Sequence, residues 1–342
     1  MKNFILKDEN AVYYECGFSC DNEIFLQFGS ERFFITDSRY TLEAGEKLAE
    51  NVQVVEARDV VAEAAKMLQK YRIKKLHYDP GDFTVAQFEK LKASKYTYFE
   101  PAPDFSRKKR IIKTPKEIKL IKEAVRLGEE AFAQFAAYLR RHGLNQNEKR
   151  LFFECQARLS DFGQYALSFE PIVAINDNAA KPHAFPGDTE LKIGSLILVD
   201  AGLKYERYCS DRTRVSEYSN DINFDKKSQN FLSSKRQKVY DTVLKAQEAA
   251  IKAAKPGVKA CDIDKAARDV IEKAGFGNYF VHSTGHGVGL DIHELPVISA
   301  KSETIIEENM VFTIEPGIYL PGEFGVRIED MVKIAGTRAV VL

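Results

Sequence analysis

Apolar and polar positions follow two different patterns along this chain. Up to about residue 105, short β-rich runs alternate with helical spacing. "NEIFLQFG" and "RFFITDS" are separated by "SE", a hairpin pattern. "RDVVAEAAKMLQKYRI" carries apolar residues at helical intervals, and "KKLHYDP" then reads as a strand ending in a turn. "TVAQFEKLKAS" reads as another short helix, so the pattern predicts a small α/β domain. Two prolines and a basic cluster in "EPAPDFSRKKR" predict a linker, with a domain boundary near residue 112. Thr114 then reads as an N-cap, Pro115 as the first helical residue and Glu117 as the capping-box acid. From there a long amphipathic helix is expected to run to Gly143. Further helices are expected at about 147–162, 228–254 and 262–274, with Gly275 placed as a helix C-terminal glycine. The stretches "SLILVDAG", "RYCSDRTRVSEY", "NMVFTIEPGIYL" and "FGVRIEDMVKIA" between and after them are β-rich. The predicted domains are therefore 1–112 and 113–342.

Composition narrows the function classes. The 342 residues suit about two domains. No run approaches the ~20 apolar residues of a membrane span, and "MKNFILKDENAVYY" does not read as a signal peptide. Fifty basic residues balance 50 acidic ones, which gives no support to a nucleic-acid partner. The five cysteines are odd in number and scattered, and "CGFSC" has no second Cys/His pair to complete a zinc site. They read as reduced, packed thiols in a cytoplasmic protein.

Carboxylates stand where strands are expected. Asp200 ends the apolar run "LILVD", Asp211 follows in "YCSDRTR", Glu315 lies in "VFTIEPG" and Glu329 in "GVRIED". A turn cap, or a pair with Arg327, explains any one of them. Four together need a compensating cation, because buried like charges raise each other's pKa. Oxygen ligands with one imidazole suit Mn, Co, Fe or Zn at a two-metal site. The imidazole is found in "HSTGHGVGLDIHELP", which holds three of the six histidines. His286 sits there in what reads as a glycine-rich turn, whose glycines permit close backbone approach and strained angles.

These residues, in this order, resemble the pita-bread metallopeptidases: methionine aminopeptidase, aminopeptidase P and prolidase. The resemblance implies a dinuclear site made by Asp200, Asp211, His286, Glu315 and Glu329, in stretches similar to the family's S-D-x-T-R, G-H-G-x-G, E-P-G-x-Y and V-R-I-E-D. "NAVYYECGF" and "FITDSRY" resemble the creatinase-type N-terminal domain, which points to the Xaa-Pro branch. The implied fold class is α/β (α+β), a small creatinase-like α/β domain followed by a pita-bread catalytic domain.

The same resemblance implies His183 in "KPHAFPGD" and His293 in "LDIHELP" as substrate-pocket histidines, and Thr213, Tyr319 and Arg327 as residues behind the ligands. His282 is left without a role, and His77 and His142 read as incidental. The implied activity is an exopeptidase cleaving Xaa-Pro bonds at peptide N-termini (aminopeptidase P) or in dipeptides (prolidase). A metal-bridging hydroxide would attack the carbonyl, with Glu315 as proton shuttle, His293 at the oxyanion and His183 at the departing nitrogen. Two divalent ions, Mn foremost, and a cytoplasmic homodimer complete the expectation, with proline-containing peptides as partners and neither nucleic acid nor membrane. A catalytically inactive scaffold and a creatinase-like C–N hydrolase are the competing readings. Arg207 and Asn176 depart from residues frequent in relatives, with consequences expected for substrate preference.

Overall fold

Thr114 begins the longest helix as its residue types dictate. Its hydroxyl accepts from the Glu117 amide at 3.3 Å, and the Glu117 carboxylate accepts from the Thr114 amide at 2.8 Å. The helix runs Pro115–His142. A computed structural model describes residues 2–342. The chain divides into two compact units, Met1–Lys109 and Arg110–Leu342.

The first unit is built on a six-stranded sheet. Its strands are β1 (Asn3–Leu6), β2 (Glu23–Phe28), β3 (Glu31–Thr36), β4 (Val52–Glu56), β5 (Lys75–Tyr78) and β6 (Tyr98–Pro101), in the order β4-β3-β2-β1-β5-β6. The centre is antiparallel and both flanks are parallel. The β2–β3 hairpin turns through Gly29 and Ser30, one residue before the turn read from the sequence, with Gly29 at φ +62°. Helices α1 (Glu9–Cys16), α2 (Thr41–Lys47), α3 (Val60–Lys70), α4 (Val85–Leu91) and α5 (Phe105–Lys109) accompany the strands. Strand alternation sends Leu26 and Phe33 into the core that holds Ala64 and Leu68 of α3. It sends Phe25 and Phe34 into a second core, with Val12 of α1. Both faces are covered, so these strands read as near-continuous apolar runs.

The second unit begins with α6 (Pro115–His142) and α7 (Glu148–Leu159). Strands β7 (Ala166–Leu167), β8 (Ile172–Ile175), β9 (Leu196–Ala201), β10 (Leu203–Tyr205), β11 (Tyr208–Cys209) and β12 (Arg212–Glu217) follow, forming the sheets β11-β10-β7 and β12-β9-β8. Then come α8 (Ser234–Ala253) and α9 (Ala260–Lys273). Strands β13 (Gly285–Gly287), β14 (Glu294–Ile298), β15 (Val311–Ile314), β16 (Gly317–Leu320), β17 (Phe324–Arg327), β18 (Asp330–Ala335) and β19 (Arg338–Val341) end the unit. They form a five-stranded sheet, β14-β13-β15-β18-β19, and a β16-β17 pair. Helices cover two sides. Phe135 and Leu139 of α6 and Leu151 of α7 share a core with Ile197 and Val199 of β9. Leu196 and Leu198 of the same strand share the other core with Val243 of α8 and Ile263 of α9.

The structure revises two local readings. Helix α8 starts at Ser234 rather than near 228. The Gln229 amide bonds the Asn223 and Asp225 carbonyls, and Ser233 caps the helix instead. The basic cluster before α6 is not a solvated linker throughout, since Arg110 and Lys113 are buried at 1% and 2% exposure. Arg207 occupies the tip of the β10–β11 hairpin, where Glu206 and Arg207 both have positive φ, 47° and 71°, as a two-residue turn of this hand requires.

Candidate metal centre

Each carboxylate arrives from a different strand end. Asp200 lies within β9, where alternation puts it on the same face as Leu196 and Leu198. The other three stand just outside strands rather than inside them: Asp211 before β12, Glu315 after β15 and Glu329 in the break between β17 and β18. β9 and β12 are antiparallel, with Asp200 opposite Thr213. The connection between them is the β10–β11 hairpin, longer than the short turn read from the sequence. The Glu329 amide donates to the Thr213 carbonyl at 3.2 Å and the Glu315 amide to the Thr284 carbonyl at 2.8 Å, so backbone bonds fix both positions.

His286 is in β13, not in a turn, and its neighbouring glycines lack the positive φ expected of strained backbone. Close approach is the reason for them. A Cβ at Gly285 would stand 2.0 Å from the Thr313 carbonyl oxygen, and one at Gly287 would stand 2.1 Å from that of Leu295. His286 Nδ1 lies 3.0 Å from the Gly287 carbonyl and must donate to it, which leaves Nε2 with its lone pair free. That atom is 3.5 Å from Asp211 Oδ2 and 3.4 Å from Glu315 Oε1. Ligand atoms of Asp211, His286 and Glu329 all lie within 4.8 Å of one another.

Behind them, Arg327 makes four contacts. Its Nη2 donates to Asp200 Oδ2 at 2.5 Å, Nε to Thr213 Oγ1 at 3.0 Å, and Nη1 to Tyr319 Oη at 2.7 Å and the Pro182 carbonyl at 3.1 Å. Thr213 Oγ1 donates in turn to Glu329 Oε2 at 2.7 Å. Because Arg327 can only donate, the Tyr319 hydroxyl donates onward to His282 Nε2 at 2.9 Å, and His282 Nδ1 donates to the Ser283 carbonyl at 2.7 Å. His282, unexplained by sequence, therefore ends a chain of bonds that begins at Asp200. Burial pushes it down to about 4, which keeps it neutral. His293 is exposed, and its ring meets that of His286 edge-on with centroids 4.4 Å apart. His183 is also exposed.

The electrostatics call for a cation. Burial raises Asp211 and Glu329, and the neighbouring carboxylates add to both shifts. Burial raises Glu315 to about 8, with Arg327 opposing and Asp200 adding. Burial lowers His286 to about 4. Among the described residues, Asp200 Oδ1 is buried without a hydrogen-bond partner. An orphaned carboxylate oxygen, a neutral imidazole with an open lone pair and several mutually repelling acids fit divalent metal.

Fold and site together define a metallopeptidase with the pita-bread fold. Residues 119–335 match Metallopeptidase family M24, and the chain belongs to that family. YkvY of Bacillus subtilis (strain 168) is 34% identical over 99% of this chain and 92% of its own length. The Xaa-Pro dipeptidase from Bacillus anthracis superposes with a TM-score of 0.90 at 31% identity, covering 99% of this chain and 92% of that one. The X-Pro aminopeptidase from Thermotoga maritima MSB8 gives 0.87 at 32% identity, covering 100% and 95%.

Sequence reasoning missed a second charged cluster beside the site. Lys113 Nζ donates to Glu294 Oε2 at 2.8 Å, and Arg110 Nη2 to Asp291 Oδ2 at 2.5 Å. A pair 181 residues apart leaves no periodic trace. The one available signal was the acidic pair flanking His293.

Proposed function

We propose that the chain is a dinuclear-metal exopeptidase that hydrolyses the Xaa-Pro bond of dipeptides or of peptide N-termini. The convergence of Asp211, His286 and Glu329 ligand atoms carries the reading. Relatives named as Xaa-Pro dipeptidase and X-Pro aminopeptidase supply the substrate class. Residues 113–342 form the catalytic domain in this reading, and 1–112 the creatinase-like one. Asp200, Asp211, His286, Glu315 and Glu329 would hold two divalent ions, Mn first, with Co, Zn or Fe as substitutes. Bound there, the ions supply an activated water and a polarised carbonyl.

The chain's own residues do the rest. Glu315 carries a proton between the attacking water and the leaving nitrogen. His293, exposed beside His286, donates to the oxygen on which charge develops. His183 holds the departing proline nitrogen. Thr213, Tyr319 and Arg327 orient the ligands, as groups behind a metal do. The proline ring carries no N–H, so its recognition rests on shape. We also place the protein in the cytoplasm, in keeping with its five free thiols, and read it as a homodimer from its resemblance to the family.

Metal analysis of the native protein and of Asp211→Ala tests the reading. Two equivalents of divalent metal are expected in the first, with loss of metal and of Xaa-Pro cleavage in the second. An Asp211→Ala protein with full metal and full activity overturns it, and a folded native protein that binds no metal favours the scaffold or the C–N hydrolase.

A further inference from the structure

His293 is exposed, yet the residues on either side of it are tied into the protein interior. Glu294 follows it directly and is buried, with 1% of its side chain exposed. Its Oε2 accepts from Lys113 Nζ at 2.8 Å and its Oε1 from the Asp291 amide at 3.1 Å, and Arg110 Nε stands 3.5 Å from Oε1. Lys113 has 0% of its side chain exposed and a second bond, to the Arg110 carbonyl at 2.6 Å. Arg110 reaches past Glu294 to Asp291, two residues before His293. Space is kept for the carboxylate by Gly289, where a Cβ would lie 2.6 Å from Glu294 Oε2. Glu294 also pairs with Gly287 in the β13–β14 ladder, next to His286.

Two buried cations from the segment entering α6 thus clamp the loop 291–294 on both sides of one imidazole. An interior salt bridge is an expensive way to stabilise a fold, since desolvation offsets most of the attraction. What it supplies well is fixed geometry. We propose that Lys113 and Arg110, acting through Glu294 and Asp291, are positioning residues that hold the His293 imidazole in its edge-on seat against His286, where it meets the substrate carbonyl. The inference rests on the reading of His293 given above.

A mutant cycle tests it. Lys113→Met/Glu294→Gln removes both charges together, and Arg110 keeps its pair with Asp291. It is compared with His293→Ala and with the combination of the two, for kcat, KM, bound metal and amide exchange in 288–294. The expected result is wild-type metal content, faster exchange confined to 288–294, and kcat lower by about 10- to 100-fold. In the His293→Ala background the same pair should change kcat by less than about 2-fold, because groups acting as one unit are non-additive. An equal loss in both backgrounds, or an unchanged kcat in the first, overturns the proposal. Should the neutral pair not fold, Lys113→Arg enters the same cycle. A kcat loss present only where His293 is present supports the clamp, and wild-type kcat with unchanged exchange overturns it. Full activity in His293→Ala alone instead sinks the functional role of His293.

Discussion

Arg327 shows how much one side chain can fix. Its guanidinium serves Asp200, Thr213, Tyr319 and the Pro182 carbonyl at once. A lysine offers a point charge and cannot span that fork. Arg327→Lys is expected to keep the fold and lower kcat/KM at saturating Mn²⁺ by about 10- to 100-fold. Steady-state kinetics on Xaa-Pro peptides checks this, and unchanged kinetics would remove Arg327 from the ligand-orienting role. The carboxylates give a second expectation, for metal-free protein. Their pKa values are raised by burial and by one another, Glu315 to about 8. A carboxyl raised in the folded state contributes stability below its unfolded pKa and loses it as pH climbs through the folded value. Metal-free protein is therefore expected to melt lower at pH 9 than at pH 6. Added Mn²⁺ should raise the melting temperature more at pH 9, because it binds the deprotonated ligands of the native state alone. Thermal melts at the two values decide it, and a metal increment larger at pH 6 would contradict the electrostatic picture.

Among the elements, the short strand β13 is tightly confined. Gly287 lies against the Leu295 carbonyl, so a methyl group there must displace β14 or β13 itself. Gly287→Ala is expected to destabilise the protein by about 1–3 kcal/mol through overpacking, and to weaken metal binding because His286 is the adjacent residue. Denaturant midpoints and a metal titration read both effects, and a variant with wild-type values in each would show that the backbone there has room for a methyl group. Element types were legible where periodicity was strong. The α6 capping box and the Gly275 terminus, at φ +86°, are local signals that no tertiary contact overrode. The start of α8 was not legible, because side-chain bonds from Gln229 to carbonyls of 223 and 225 hold that segment out of the helix. The turn assigned to His286 failed for a related reason. Glycines chosen for close strand packing look the same in sequence as glycines chosen for positive φ.

At the scale of the molecule, five ligand candidates spread over 130 positions were legible because metal chemistry restricts residue type more tightly than packing does. The structure draws Asp200, Asp211, His286, Glu315 and Glu329 into one basin of mutual electrostatic influence. The Arg110 and Lys113 clamp was invisible, since neither periodicity nor spacing marks which surface-type residue will be buried. No helix among the described residues is long and apolar enough to cross a membrane. Sedimentation is expected to return twice the 38.7 kDa chain mass, and a monomeric mass would overturn the homodimer. The most direct measurement gives metal-stripped protein Mn²⁺ and an equal mixture of Xaa-Pro and Xaa-Pro-Yaa peptides, with a chelator control, and follows products by mass. Metal-dependent release of the first residue is expected, from the dipeptide alone for a prolidase and from the longer peptide for an aminopeptidase P. A folded, metal-loaded protein that cleaves neither peptide would contradict the assignment of this basin to Xaa-Pro hydrolysis.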